Sequence, residues 1–137
     1  GKAGRSLKPG GPDYLDSLSI VVGAAKSPAT PSGAHERLPT VNSGSWIRTY
    51  AWGEGIVASG TNTPATTEGP LFSGLGKTSG ASAIIAGTAL LIQGMSPTKL
   101  TPLQMRSALQ DPAKGTAVID SASSPSVVGS MPDLSKF

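Results

Sequence analysis

The sequence predicts an α/β fold built on a mostly parallel sheet, and one that is incomplete in this chain. Three observations carry that expectation. Residues 18–25 (LSIVVGAA) form a short, continuous apolar run, as expected of a strand covered on both faces. Residues 79–95 carry no charge, and a helix that is apolar all round must be surrounded by other elements. The rest of the chain offers about two strands and one more helix by the same signals, too few to cover it.

Taken in order, residues 1–17 read as irregular loop, because Pro9-Gly10-Gly11-Pro12 admits neither helix nor central strand. Residues 18–25 then supply a parallel core strand. From 26 to 44 the chain returns to Pro, Ser, Gly and Asn, which places His35, Glu36 and Arg37 on a surface loop. A second strand is expected over 46–52 (WIRTYAW), closed by Gly53, with a brief extended piece at Ile56-Val57. Residues 61–73 are turn-formers and threonines and read as loop. The uncharged helix begins near Ser79, and Gly94 is expected to stop it as the C′ residue. Thr101-Pro102-Leu103-Gln104 matches a capping box with proline at the first helical position, opening a helix that Asp111-Pro112 ends. There is no internal repeat.

At 137 residues the chain is about one ordinary domain. With 18 Gly, 12 Pro and only 4% aromatics, its core must rest on Ile, Val, Leu and Ala. The absence of cysteine removes disulfides and thiolate metal sites, and the single histidine removes multi-histidine ones. No acidic-loop cluster of carboxylates is present, so no metal and no cofactor is expected. The net charge of +3 comes partly from Lys2, Arg5 and Lys8. Without a dense basic stripe or aromatic platforms, nucleic acid is not an expected partner. The uncharged helix approaches the lower limit for crossing a bilayer, but Ser82, Gly87, Thr88 and Gln93 favour burial in protein over a membrane. The chain opens on glycine without an apolar leader, so any targeting segment is expected to have been removed or to lie outside it.

Chemistry concentrates in residues 74–94 (GLGKTSGASAIIAGTALLIQG), where Thr78-Ser79 sits at the passage from a glycine-rich loop into the uncharged helix. A serine there has its own N–H and the positive end of the helix dipole beside any oxyanion it helps create. Ser and Thr before an apolar run are also ordinary N-caps, a plainer reading of the same residues. Gly76-Lys77-Thr78 copies the end of a phosphate-binding loop. That reading lacks the earlier glycine, since Leu71 stands in its place, and it lacks a buried strand immediately upstream.

Five blocks in order, LSIVVGAA, HERLPTVNSG, YAWGEGIVASG, GKTSGASAIIAGTALLIQG and LTPLQMRSAL, resemble the C-terminal half of the subtilisin-like serine proteases, the subtilases. Thr78-Ser79, Ala81, Ala86-Gly87 and Leu90-Leu91 match the family's nucleophile signature, and Met131-Pro132-Asp133-Leu134 resembles the end of one bacterial-type branch. The resemblance spans nearly the whole chain and implies residues 1–137 as the C-terminal part of a peptidase domain with a three-layer subtilisin-like fold. It implies Ser79 as nucleophile of a Ser-His-Asp triad that cleaves peptide bonds through an acyl-enzyme. Thr78 falls beside it in the substrate-binding and oxyanion region.

The family's acid and base motifs, Asp-x-Gly and His-Gly-Thr, do not occur here, so a complementary N-terminal portion of the domain is the implied partner, together with a peptide or protein substrate. His35 matches a surface segment of the family, and a solvated or loop-bracing role is expected for it rather than catalysis. Asp13, Asp16, Asp111, Asp120 and Asp133 are expected in turns and caps. Two departures fall on sensitive positions: Lys2 stands where the family has the oxyanion asparagine, and Lys77 where it has glycine, so that a side chain there is expected to strain the turn or obstruct substrate. They leave open a degenerate, non-catalytic subtilase-fold module for binding or assembly. A secreted or extracytoplasmic setting is implied by the same resemblance.

Overall fold

The computed structural model describes residues 9–11, 15–29, 33–59, 71–120 and 126–137. The strands are β1 (Val22–Ala25), β2 (Thr49–Trp52), β3 (Ile56–Ser59), β4 (Leu71–Leu75), β5 (Gly115–Asp120) and β6 (Ser126–Pro132); the helices are α1 (Lys77–Met95) and α2 (Pro102–Gln110). The fold is α/β. A four-stranded sheet runs in the order β1-β2-β6-β5, and β3 and β4 form a separate antiparallel pair. Within the sheet β1, β2 and β6 are parallel, while β5 returns antiparallel along β6.

Consecutive strand residues point to opposite faces, and this divides the core in two. Ala24 and Ala51 meet Ala81, Ile85 and Ile92 of α1 and Met105 and Leu109 of α2 in one buried cluster. Ala25, Ile47, Tyr50, Val118 and Met131 form the second, on the other face. Alanines at 24 and 51 let the helix backbone come close to the sheet. Tyr50 lies across the opposite face, where Gly23 on β1 and Gly129 on β6 leave room for its ring.

The expected first strand is shorter than residues 18–25, and the second is confined to 49–52. Three strands were not expected. Residues 71–75, in part assigned to loop above, pair with β3 in the register Ile56↔Leu75 and Ser59↔Leu71. The β5–β6 hairpin has few buried positions, so it carries little apolar pattern; on β5 only Val118 is fully buried.

Gly94 does not take the C′ role. The helix runs through it to Met95, and Ser96 closes it in an extended conformation, its N–H donating to Ile92 O at 3.0 Å. Pro97 explains this, because the residue before a proline is pushed out of helical geometry. Helix α2 begins as expected: Gln104 N–H donates to Thr101 Oγ1 at 3.3 Å, and Thr101 N–H donates to Gln104 Oε1 at 2.8 Å. Such a box contributes about 1 kcal/mol.

The expectation that α1 is enclosed is met on one side only. Gly80, Ala81, Ile85 and Ile92 are its buried residues. Leu90, Leu91 and Met95 are 75%, 56% and 54% exposed, and Ala83, Ala86, Gly87 and Gly94 continue that open face. By length and composition α1 is able to span a membrane, and it is the one such helix among the described residues. Here it lies along the sheet.

Candidate active site

Ser79 is brought to the carboxyl ends of β1 and β2 by a short chain of backbone bonds. Gly53, just past β2, donates its N–H to Ala25 O at 2.8 Å and accepts from Lys77 N–H through its carbonyl at 2.6 Å. Gly53 and Gly76 pack so tightly that a Cβ on Gly53 would lie 2.7 Å from Leu38 Cδ1, and one on Gly76 would lie 3.0 Å from Gly53 O. The start of α1 is therefore fixed to the sheet. In open α/β sheets this end is where ligands bind.

Gly76 is the N-cap of α1, and no side chain caps the helix. This corrects the plainer reading of Thr78-Ser79: neither hydroxyl is a cap, because both residues lie inside the first turn. Ser79 is exposed and Thr78 half-buried. Among the described residues no acceptor is found for the N–H of Thr78 or of Ser79 beyond the helix, as expected of first-turn donors. An exposed hydroxyl beside two open N–H groups and the positive end of a long helix can act on an electrophile whose oxygen gains negative charge.

Lys77 opens the helix at φ 55°, in the left-handed region that favours glycine. Its side chain is exposed. The strain expected of a side chain at this position is thus present in the backbone.

His35 is half-buried in the loop between β1 and β2. Its ring packs on Trp52 with centroids 4.7 Å apart and planes tilted by 56°. Its N–H donates to Lys26 O at 3.2 Å, and its carbonyl accepts from Ile119 N–H at 3.0 Å. Trp52 packs with the Tyr50 cluster, on the face of the sheet away from α1. His35 is therefore across the sheet from the helix that carries Ser79, and it braces the loop. Lys26 and Glu36 close the same loop with a 2.7 Å ion pair.

Of the described aspartates, Asp111 and Asp133 sit in turns as expected, whereas Asp120 lies within β5 and holds an arginine instead of serving a turn or cap. Asp111 accepts from Ala113 N–H and Asp133 from Ser135 N–H, each within a tight turn. Asp120 holds Arg37 in a two-pronged pair, with Nε and Nη2 at 3.0 and 3.1 Å. Asp16 holds Arg106 in the same way at 2.7 and 2.9 Å. The Arg106 guanidinium and the Leu18 N–H keep the Asp16 carboxyl at about 2, below its ordinary value. Lys2 and Asp13 lie outside the described residues. No sequence signal pointed to the two arginine forks, whose partners lie 83 and 90 residues apart.

No protein-family model matches the sequence, and no curated protein matches it.

Proposed function

We propose that this chain is the C-terminal, nucleophile-bearing portion of a subtilisin-like serine endopeptidase, secreted or extracytoplasmic, whose acid and base come from a complementary N-terminal portion of the same domain. One observation carries the reading: Ser79 is an exposed, uncapped hydroxyl in the first turn of α1, fixed at the carboxyl ends of two parallel strands. The resemblance of residues 76–94 to the subtilase nucleophile block agrees with it.

In this reading a base from the complementary portion takes the Ser79 hydroxyl proton as Oγ attacks the scissile carbonyl carbon. The carbonyl oxygen gains the negative charge and is met by the Ser79 N–H and the helix dipole, with Thr78 alongside. The intermediate collapses, the amine leaves with the proton returned by the base, and an ester on Ser79 remains for water to hydrolyse. The open face of α1 is where the complementary portion packs. The outer edge of β1 points the same way, since among the described residues it is engaged only at Ala24 and Ala25, by Leu38 and Arg37.

A fluorophosphonate probe tests the proposal. Ser79 should be labelled when the complementary portion is present, and Ser79→Ala should abolish labelling. A complete protein in which Ser79 stays unlabelled sinks it. A second reading, a non-catalytic binding or assembly module, is favoured by Lys77, whose strained backbone and exposed side chain stand two residues before the serine. If Lys77 has silenced the site, Lys77→Gly restores labelling to an otherwise unreactive complete protein.

A further inference from the structure

At the end of the sheet opposite Ser79, two cavities of about 410 and 590 Å³ meet at Ser45, Arg48 and Gln110. Both fall within the size range of small-molecule sites. Among the described residues, three guanidinium groups and two carboxylates line them. Arg106 is matched to Asp16 and Arg37 to Asp120, each fork to fork. Arg48 is the odd one. Its Nε donates to Ser45 O at 3.2 Å, and among the described residues its two terminal nitrogens have no acceptor. Its backbone is held in place, because Arg48 O accepts from Ser130 N–H at 2.9 Å.

We propose that this groove, at the amino ends of β2 and β6, binds an organic carboxylate through Arg48. The two matched pairs carry no net charge, so among the described residues Arg48 supplies the groove with one unmatched positive charge and a planar pair of terminal nitrogens without an acceptor. A guanidinium fork suits a carboxylate in two-point contact. The body of the ligand meets Trp46 and Val21 on one side and Val127, Val128 and Tyr50 on the other, so an apolar chain next to the carboxylate is selected. Tyr50 adds a phenol, neutral near neutral pH, whose pKa burial raises further above the ordinary value. The site does not depend on the peptidase reading, since Arg48 is five residues from Gly53, on the order of 15 Å along β2.

The test is a ligand-detected NMR titration of the 137-residue chain, to about 10 mM, a range that detects a Kd near 1 mM. The probes are N-acetyl-leucine, its amide, and a short peptide ending in leucine as free acid and as amide. The expected result is binding of one or both acids, at least tenfold weaker binding of the matching amide, and loss of binding in Arg48→Gln. Arg48→Lys, which keeps the charge and loses the fork, should fall between the two. Tighter binding of N-acetyl-leucine identifies a small acid, and tighter binding of the peptide acid identifies a chain terminus. Equal binding of acid and amide, binding unchanged in Arg48→Gln, or no binding of either acid overturns the proposal. Circular dichroism of Arg48→Gln guards against misfolding, which is not expected for an exposed side chain.

Discussion

Backbone strain at Lys77 and close contact at Gly129 decide the outcome of a substitution at each. Lys77 occupies the left-handed region at φ 55° on the first residue of α1. A side chain there costs about 1–2 kcal/mol, and Gly adds about 0.5–1 kcal/mol of unfolded-chain entropy. Lys77→Gly should therefore stabilise the chain by about 0.5–1 kcal/mol. The urea midpoint should rise with an unchanged slope, whereas Lys77→Ala, which keeps the strained φ, should leave it where it was. A fall in midpoint for the glycine variant would remove the strain argument. Gly129 is the opposite case. A Cβ there would lie 2.6 Å from Tyr50 Cε2, and the Arg48 carbonyl closes in from the neighbouring strand. The ring cannot retreat without disturbing the second core cluster. Gly129→Ala should cost about 1–3 kcal/mol, and a thermal midpoint equal to wild type would refute that packing.

Among the elements, α2 is tied to the segment before β1 by the Arg106–Asp16 fork, and this gives the tie a pH signature. The Asp16 carboxyl is held at about 2 by the Arg106 side chain and the Leu18 N–H, against about 3.9 for an unfolded chain. The folded pKa is depressed, so the stabilisation is present above about pH 4 and lost as pH falls through about 2. Asp16→Asn should flatten the loss of thermal stability between those values, leaving the part due to Asp133, whose carboxyl is also lowered, chiefly by Ser135. An identical acid limb in wild type and variant would show that the fork contributes nothing.

How far such elements can be read from sequence depends on where their partners lie. The strand within residues 18–25, the capping box at Thr101 and the entry of Ser79 into α1 are encoded locally, in a run of apolar residues or a spacing of three. The β5–β6 hairpin is not, because much of it faces outward and its residues owe no apolar period to the core. Residues 71–75 lacked any signal beyond Leu and Phe in a Gly, Pro and Thr setting, and their register is set by β3. In the site, the position of Ser79 was legible. Strain at Lys77 was expected as well, from a side chain at a position where the resemblance has glycine; the grouping of Arg48 with two matched forks was not, since it arises from contacts between distant parts of the chain.

For the whole molecule, the question is what the open face of α1 does for a chain that carries it. Leu90, Leu91 and Met95 are more than half exposed, and burying what each still exposes would contribute about 1–2 kcal/mol. That is ample to hold the proposed complementary portion of the domain, yet it adds little to the fold of this chain, because more than half of each side chain stands clear of it. The two contributions separate in one variant. Leu90→Glu with Leu91→Glu keeps helix propensity, since Glu and Leu are both good helix formers. It also removes only exposed groups, so the urea midpoint of the 137-residue chain should move by no more than about 0.5 kcal/mol equivalent. Self-association, read by sedimentation velocity, should decrease, because the exposed patch now carries two charges. Affinity for the complementary portion should fall at least tenfold, and Ser79 labelling should fall with it. A variant chain that unfolds on its own would show that this face is already packed within the chain, and one that still binds with wild-type affinity would place the proposed partner elsewhere.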